Sequence, residues 1–188
     1  MKTNGRGIFV FLTIVILPGC TGTPEQNDKK EQAQSVSSTP SANSPASKQV
    51  IDFLSFASEM RRMNITRGEL AQQQSKNQAL REYGSLLIED QSKLNQEITA
   101  LIRSKKIVLP EFIDLQYSEE LATLRKKKGS EFDQAFISDM THDHLEEVEA
   151  FREALTFNDQ EVKTFALKYL PVIEKSLERL KDLSKEIK

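Results

Sequence analysis

The sequence predicts an all-α protein, a four-helix bundle with one short extra helix between two long hairpins. Three observations carry that prediction. Only 7 Gly and 6 Pro punctuate 188 residues, too few for a turn-rich sheet protein. Apolar residues recur every three or four positions through four long stretches, the spacing of one helix face. The polar breaks between the stretches carry residues that cap or stop helices. Charge and cysteine content close off other classes: 26 Lys and Arg against 28 Asp and Glu give a net charge of −2, and there is 1 Cys. A nucleic-acid surface, an internal disulfide framework and a cysteine-rich zinc site are therefore not expected.

The chain opens on Lys2 and Arg6, followed by the apolar run Ile8 to Leu17. That run is too short to span a bilayer and reads as an export signal over residues 1–19. It ends in Leu17-Pro18-Gly19-Cys20, which resembles the bacterial lipobox. The resemblance implies that Cys20 is diacylated, that cleavage precedes it, and that the new amino terminus is acylated. Three acyl chains exceed the two signals that stable anchoring needs, so the membrane is the expected partner, held without a spanning helix. Thr21 stands where lipoproteins kept at the Gram-negative inner membrane carry Asp. In a Gram-negative source the expected place is the outer membrane, facing the periplasm. The mature chain holds 24 basic and 28 acidic residues, a net charge of −4, and has no polybasic patch for anionic lipid.

From Thr21 to Lys48 there is no aromatic residue, and Val36 is the one aliphatic larger than Ala. Such a segment cannot bury enough apolar surface to offset its backbone entropy. Residues 20–48 are read as a lipidated Cys and tether, and 49–188 as one helical domain. Within it, a first helix is expected from about Val50 to Ser75 and, after a break at Lys76-Asn77, a second from Gln78 to Ser104. Pro110 ends the connection that follows. A short helix from Glu111 to Lys127 stops at Gly129, where Arg125 to Lys128 offset the negative end of the helix dipole. A third long helix runs from Glu131 to Leu155. Asn158 or Asp159 caps a fourth, from Gln160 to Ile187, with Pro171 kinking it or starting its main segment.

Each apolar stripe is interrupted once. Asn64 breaks the series Leu54, Ala57, Met60, Gly68 and Ala71. Gln91 breaks Leu80, Leu87, Leu94 and Ile98. His144 breaks Phe132, Phe136, Met140, Val148 and Phe151, and Ser176 breaks Tyr169, Ile173 and Leu180. Asn64 and Gln91 are equally far from the first hairpin turn, and His144 and Ser176 from the second. Each hairpin therefore brings its two polar residues level, and a compact bundle brings the two levels together. Buried and unpaired, each group would cost about 1–3 kcal/mol, so mutual pairing or a bound ligand is expected.

Gly68-Glu69-Leu70-Ala71, Leu87-Ile88-Glu89-Asp90, Leu109-Pro110, Phe132-Asp133-Gln134-Ala135-Phe136, Met140 to His144 and Leu170-Pro171 resemble the bacterial domain-of-unknown-function family number four-one-four-two. The resemblance implies a ferritin-like helical bundle and an outer-membrane association, with no established activity. It also implies a Glu where Asn64 stands and His at the positions of Gln91, His144 and Ser176, a set similar to the metal ligands of ferritin-like bundles. Of these this chain keeps His144. Asn, Gln and Ser are poor ligands for iron or zinc, so a degenerate site without metal or cofactor is expected, with Asp90 and Asp143 behind it. His144 is the candidate ligand of the alternative reading.

His142 and His144 sit about 200° apart around a helix and cannot share an ion. Glu146, Glu147 and Glu149 are expected on the outer, solvated face. No nucleophile elbow, phosphate loop or HExxH pattern occurs. The leading expectation is a non-catalytic, lipid-anchored envelope protein with a structural or binding role. The competitor is a ferritin-like metal or redox protein of the envelope stress response, acting through His144 and nearby carboxylates. A third reading is a bundle whose groove captures a partner helix or small ligand.

Overall fold

The computed structural model describes residues 46–109 and 115–187. The signal segment, Cys20 and the tether up to Pro45 lie outside the described residues, as do Pro110 and the expected start of the short helix at Glu111. The described residues form five helices: α1 (Lys48–Gln74), α2 (Gln78–Ser104), α3 (Leu115–Lys126), α4 (Gly129–Ala154) and α5 (Gln160–Glu186). None is long and apolar enough to cross a membrane.

Local chemistry sets the ends. The side chains of Ser47, Asn77 and Asp159 each accept a hydrogen bond from the backbone N–H three residues on, satisfying donors that the first helical turn leaves free. The Ser47 cap starts α1 two residues earlier than the expected Val50. Asp159, not Asn158, caps α5. At the end of α2 the chain closes with Lys106 N–H on Arg103 O and Ile107 N–H on Ile102 O, the Schellman arrangement, with Lys106 at φ 54° in the left-handed region. α5 runs unbroken through Pro171; its main segment does not begin there. Pro171 frees the carbonyl of Leu167, and Leu167 is on the solvent side at 60 % exposure, where water can take the missing bond.

The four long helices pack in the cyclic order α1, α2, α5, α4, with α3 lying over α1 and α4. The start of α1 shares an apolar cluster with the end of α4, so these two run antiparallel, as do the partners within each hairpin. α2 and α4 then run the same way, and the connection carrying α3 has to return along the length of the bundle. α1 and α2 approach most closely at Gly68 and Gly84, where a Cβ on Gly84 would come within 2.7 Å of the Gly68 carbonyl oxygen.

The core has two apolar halves. One centres on Phe53, whose ring meets Phe151 edge-on at 5.1 Å and Phe165 at 6.3 Å. The other gathers Leu80, Phe132, Phe136, Met140 and Leu180 and takes Leu124 from α3. Burying such side chains contributes roughly 1.5–3 kcal/mol each. Between the halves lies a layer of polar side chains.

Candidate functional site

Every long helix contributes side chains to that layer. α1 supplies Asn64 and Arg67, each 0 % exposed, and α2 supplies Tyr83 at 2 % and Gln91 at 5 %. α4 supplies Asp143, His144 and Glu147, all at 2 % or less, and α5 supplies Ser176.

His144 is the hub. Its Nδ1 lies 2.5 Å from Glu147 Oε2, and its Nε2 lies 2.9 Å from the Tyr83 hydroxyl and 3.0 Å from Ser176 Oγ. Tyr83 and Ser176 are themselves 2.9 Å apart. Glu147 then accepts from Asn64 Nδ2 at 3.2 Å through both carboxylate oxygens. A continuous hydrogen-bonded line thus runs from α1 through α4 to α2 and α5. The Nδ1 contact with a carboxylate needs a proton on Nδ1, which makes Nε2 of a neutral ring an acceptor. Burial, opposed by the hydrogen bond with Ser176, pushes the Tyr83 phenol well above its ordinary value of 10.0.

A second buried element sits beside the first. The Arg67 guanidinium donates to Asp143 in a close ion pair and to Glu120 of α3 at 3.2 Å. Asp143 is thereby committed to Arg67 and does not stand behind His144, contrary to the sequence expectation. Asp139, half-buried on the same helix, has its carboxyl pushed up by burial against the opposing pull of Arg67.

The four stripe-breaking residues share this layer but do not form a mutual quartet. Ser176 touches His144 directly, and Asn64 reaches it only through Glu147. Gln91 lines a cavity of about 10 Å³ together with Asp90, His144, Tyr169 and Ser176, and its Oε1 finds no donor among the described residues. That volume is the room of about one water. Asp90 stands at the rim with its side chain 42 % exposed, 3.9 Å from Lys93. His142 points to solvent and pairs with Glu146 at 3.3 Å.

Glu147 corrects the sequence reading, which placed it on the solvated face: it is 1 % exposed. Nor does the series of stripe positions include Tyr83 or Arg67. A signal existed for all three. Tyr83 follows Leu80 by three, Arg67 follows Asn64 by three, and Glu147 follows His144 by three and precedes Phe151 by four, so each lies on the inward face.

The residues present do not suit the metal that the family resemblance implies. Both nitrogens of His144 are engaged by protein groups, the other three stripe positions hold two amides and a hydroxyl, and Asp143 is paired with Arg67. Among the described residues no three His, Cys, Asp or Glu side chains converge where they could hold an ion.

The model of a family described as a domain of unknown function, DUF4142, matches residues 35–183. Among solved structures, the crystal structure of a DUF305 fragment from Deinococcus radiodurans is similar. Its TM-score is 0.68 at 14 % identity, over 76 % of this chain and 99 % of that one, a likeness of fold. No curated protein matches the chain.

Proposed function

The chain belongs to the DUF4142 family of domains of unknown function, and from that premise we propose that it is a lipid-anchored protein of the cell envelope whose helical bundle has a structural or binding role. Acylated Cys20 would hold it, at the outer membrane facing the periplasm in a Gram-negative source. Its polar layer acts as an internal clasp that fixes four helices in one register. The observation that supports this best is the engagement of both His144 nitrogens, by Glu147 on one side and by Tyr83 and Ser176 on the other. A metal ligand, or a base acting on an added substrate, needs a lone pair that no protein group occupies.

Two experiments test the two halves of the reading. Metabolic labelling with a palmitate analogue marks the wild type and not Cys20→Ser; equal labelling contradicts the anchor. Metal analysis of the purified protein finds no stoichiometric ion. Stoichiometric iron, zinc or manganese that disappears in His144→Ala would instead support a ferritin-like metal or redox protein.

A further inference from the structure

Tyr83 is the phenol of the polar layer, with its ring edge-on to Phe136 at 6.1 Å and its hydroxyl shared between His144 and Ser176. Its raised pKa means that the ring does not give up its proton first and wait as a phenolate. Loss of an electron has to accompany transfer of the proton to a base already in place. His144 is placed as that base: with Nδ1–H donated to Glu147, the Nε2 lone pair faces the phenol. When Nε2 takes a proton, the new imidazolium stands 2.5 Å from the Glu147 carboxylate, which neutralises it inside a low-dielectric core. The other charged group of the layer, Arg67, pairs with Asp143 and with Glu120 of α3, and Asp90 stands half-exposed at the cavity rim.

We propose that Tyr83, His144 and Glu147 form a reversible one-electron store. A diffusible one-electron oxidant takes an electron from the Tyr83 ring while the phenolic O–H bond breaks and an N–H bond forms at His144 Nε2. The products are a neutral phenoxyl radical, an imidazolium paired with Glu147, and the reduced oxidant. A one-electron reductant reverses the step, the electron returning to the phenoxyl and the proton to its oxygen. At 2 % exposure the radical is shielded from direct attack. No core position of such a bundle lies much farther than a helix diameter, about 10 Å, from solvent, a distance that electrons cross by tunnelling. This activity goes beyond the structural role and needs no metal.

The test uses the full mature chain, freed of metal by chelation and assayed for metal, with the azide radical from pulse radiolysis as oxidant. The chain has no Trp and 3 Tyr, the others being Tyr117 and Tyr169. Tyr117→Phe/Tyr169→Phe protein is expected to yield a long-lived phenoxyl whose oxygen accepts a hydrogen bond from a proton that exchanges in D2O, seen by electron–nuclear double resonance. Tyr83→Phe alone, with Tyr117 and Tyr169 in place, loses that long-lived radical. His144→Gln keeps a polar group but no base and lowers the yield about a hundredfold, the low end of what a positioned proton acceptor contributes. An unchanged radical yield and lifetime in the Tyr83→Phe protein overturns the proposal, as does a phenoxyl without the exchangeable coupling. Should His144→Gln fail to fold, the coupling measured with His144 in place still decides, and the metal assay reports separately on the structural reading.

Discussion

At the scale of single residues, the polar layer sets a large penalty on breaking any one of its pairs. Arg67→Met leaves the Asp143 carboxylate buried without its cation, and a loss of about 3–5 kcal/mol is expected in urea unfolding. Arg67→Met with Asp143→Leu should recover most of it, because two apolar groups leave no stranded charge. Tyr83 makes a pH prediction. Its folded pKa is raised from 10.0, so the unfolded chain ionises first. The neutral phenol therefore favours the native state below that value, and stability falls by up to about 1.4 kcal/mol per pH unit above it. Tyr83→Phe should flatten the alkaline limb of the stability profile, while an unaltered limb would deny Tyr83 its place. The interruptions of the stripes at Asn64, Gln91, His144 and Ser176 were legible in sequence because a polar residue in an apolar series stands out. Arg67, Tyr83 and Glu147 were not, because a helix face is wider than one line of residues. Gly68 and Val148, one step around the face from Arg67 and Glu147, already satisfied the apolar count, and the series from Leu80 to Leu87 passed over Tyr83.

At the scale of elements, capping and hairpin positions could be read closely, since Asn77 and the Asn158-Asp159 pair are local signals that tertiary contacts did not override. The passage of α5 through Pro171 depends instead on which side of the helix faces water, and that is settled only when the bundle assembles. Lys106 holds a left-handed backbone at the end of α2 that favours glycine, so Lys106→Gly should raise stability by up to about 1 kcal/mol. A fall in the melting temperature would contradict it. Gly84→Ala should do the reverse, costing about 1–3 kcal/mol by pushing α2 away from α1, since the new methyl meets backbone and not a yielding side chain.

At the scale of the whole molecule, the layer answers a problem of register. Four helices of similar length packed through apolar stripes can slide or exchange neighbours at little cost, whereas polar groups that pair at only one level make the shifted arrangements leave buried donors unsatisfied. The bundle and its antiparallel hairpins followed from periodicity, but the layer's partners did not, because pairing across helices depends on rotations about each axis that periodicity leaves free. The proposed tether follows a separate logic: if Cys20 is acylated, Cys20→Ser should move the protein from the membrane to the soluble fraction without altering its melting temperature. The account rests most on His144 being held from both sides, and nitrogen-15 NMR of its imidazole addresses that directly. A neutral ring protonated at Nδ1, with a proton in slow exchange and no response to added zinc, is the predicted result. A ring protonated at Nε2, exchanging freely with solvent or shifting on zinc addition, would contradict it.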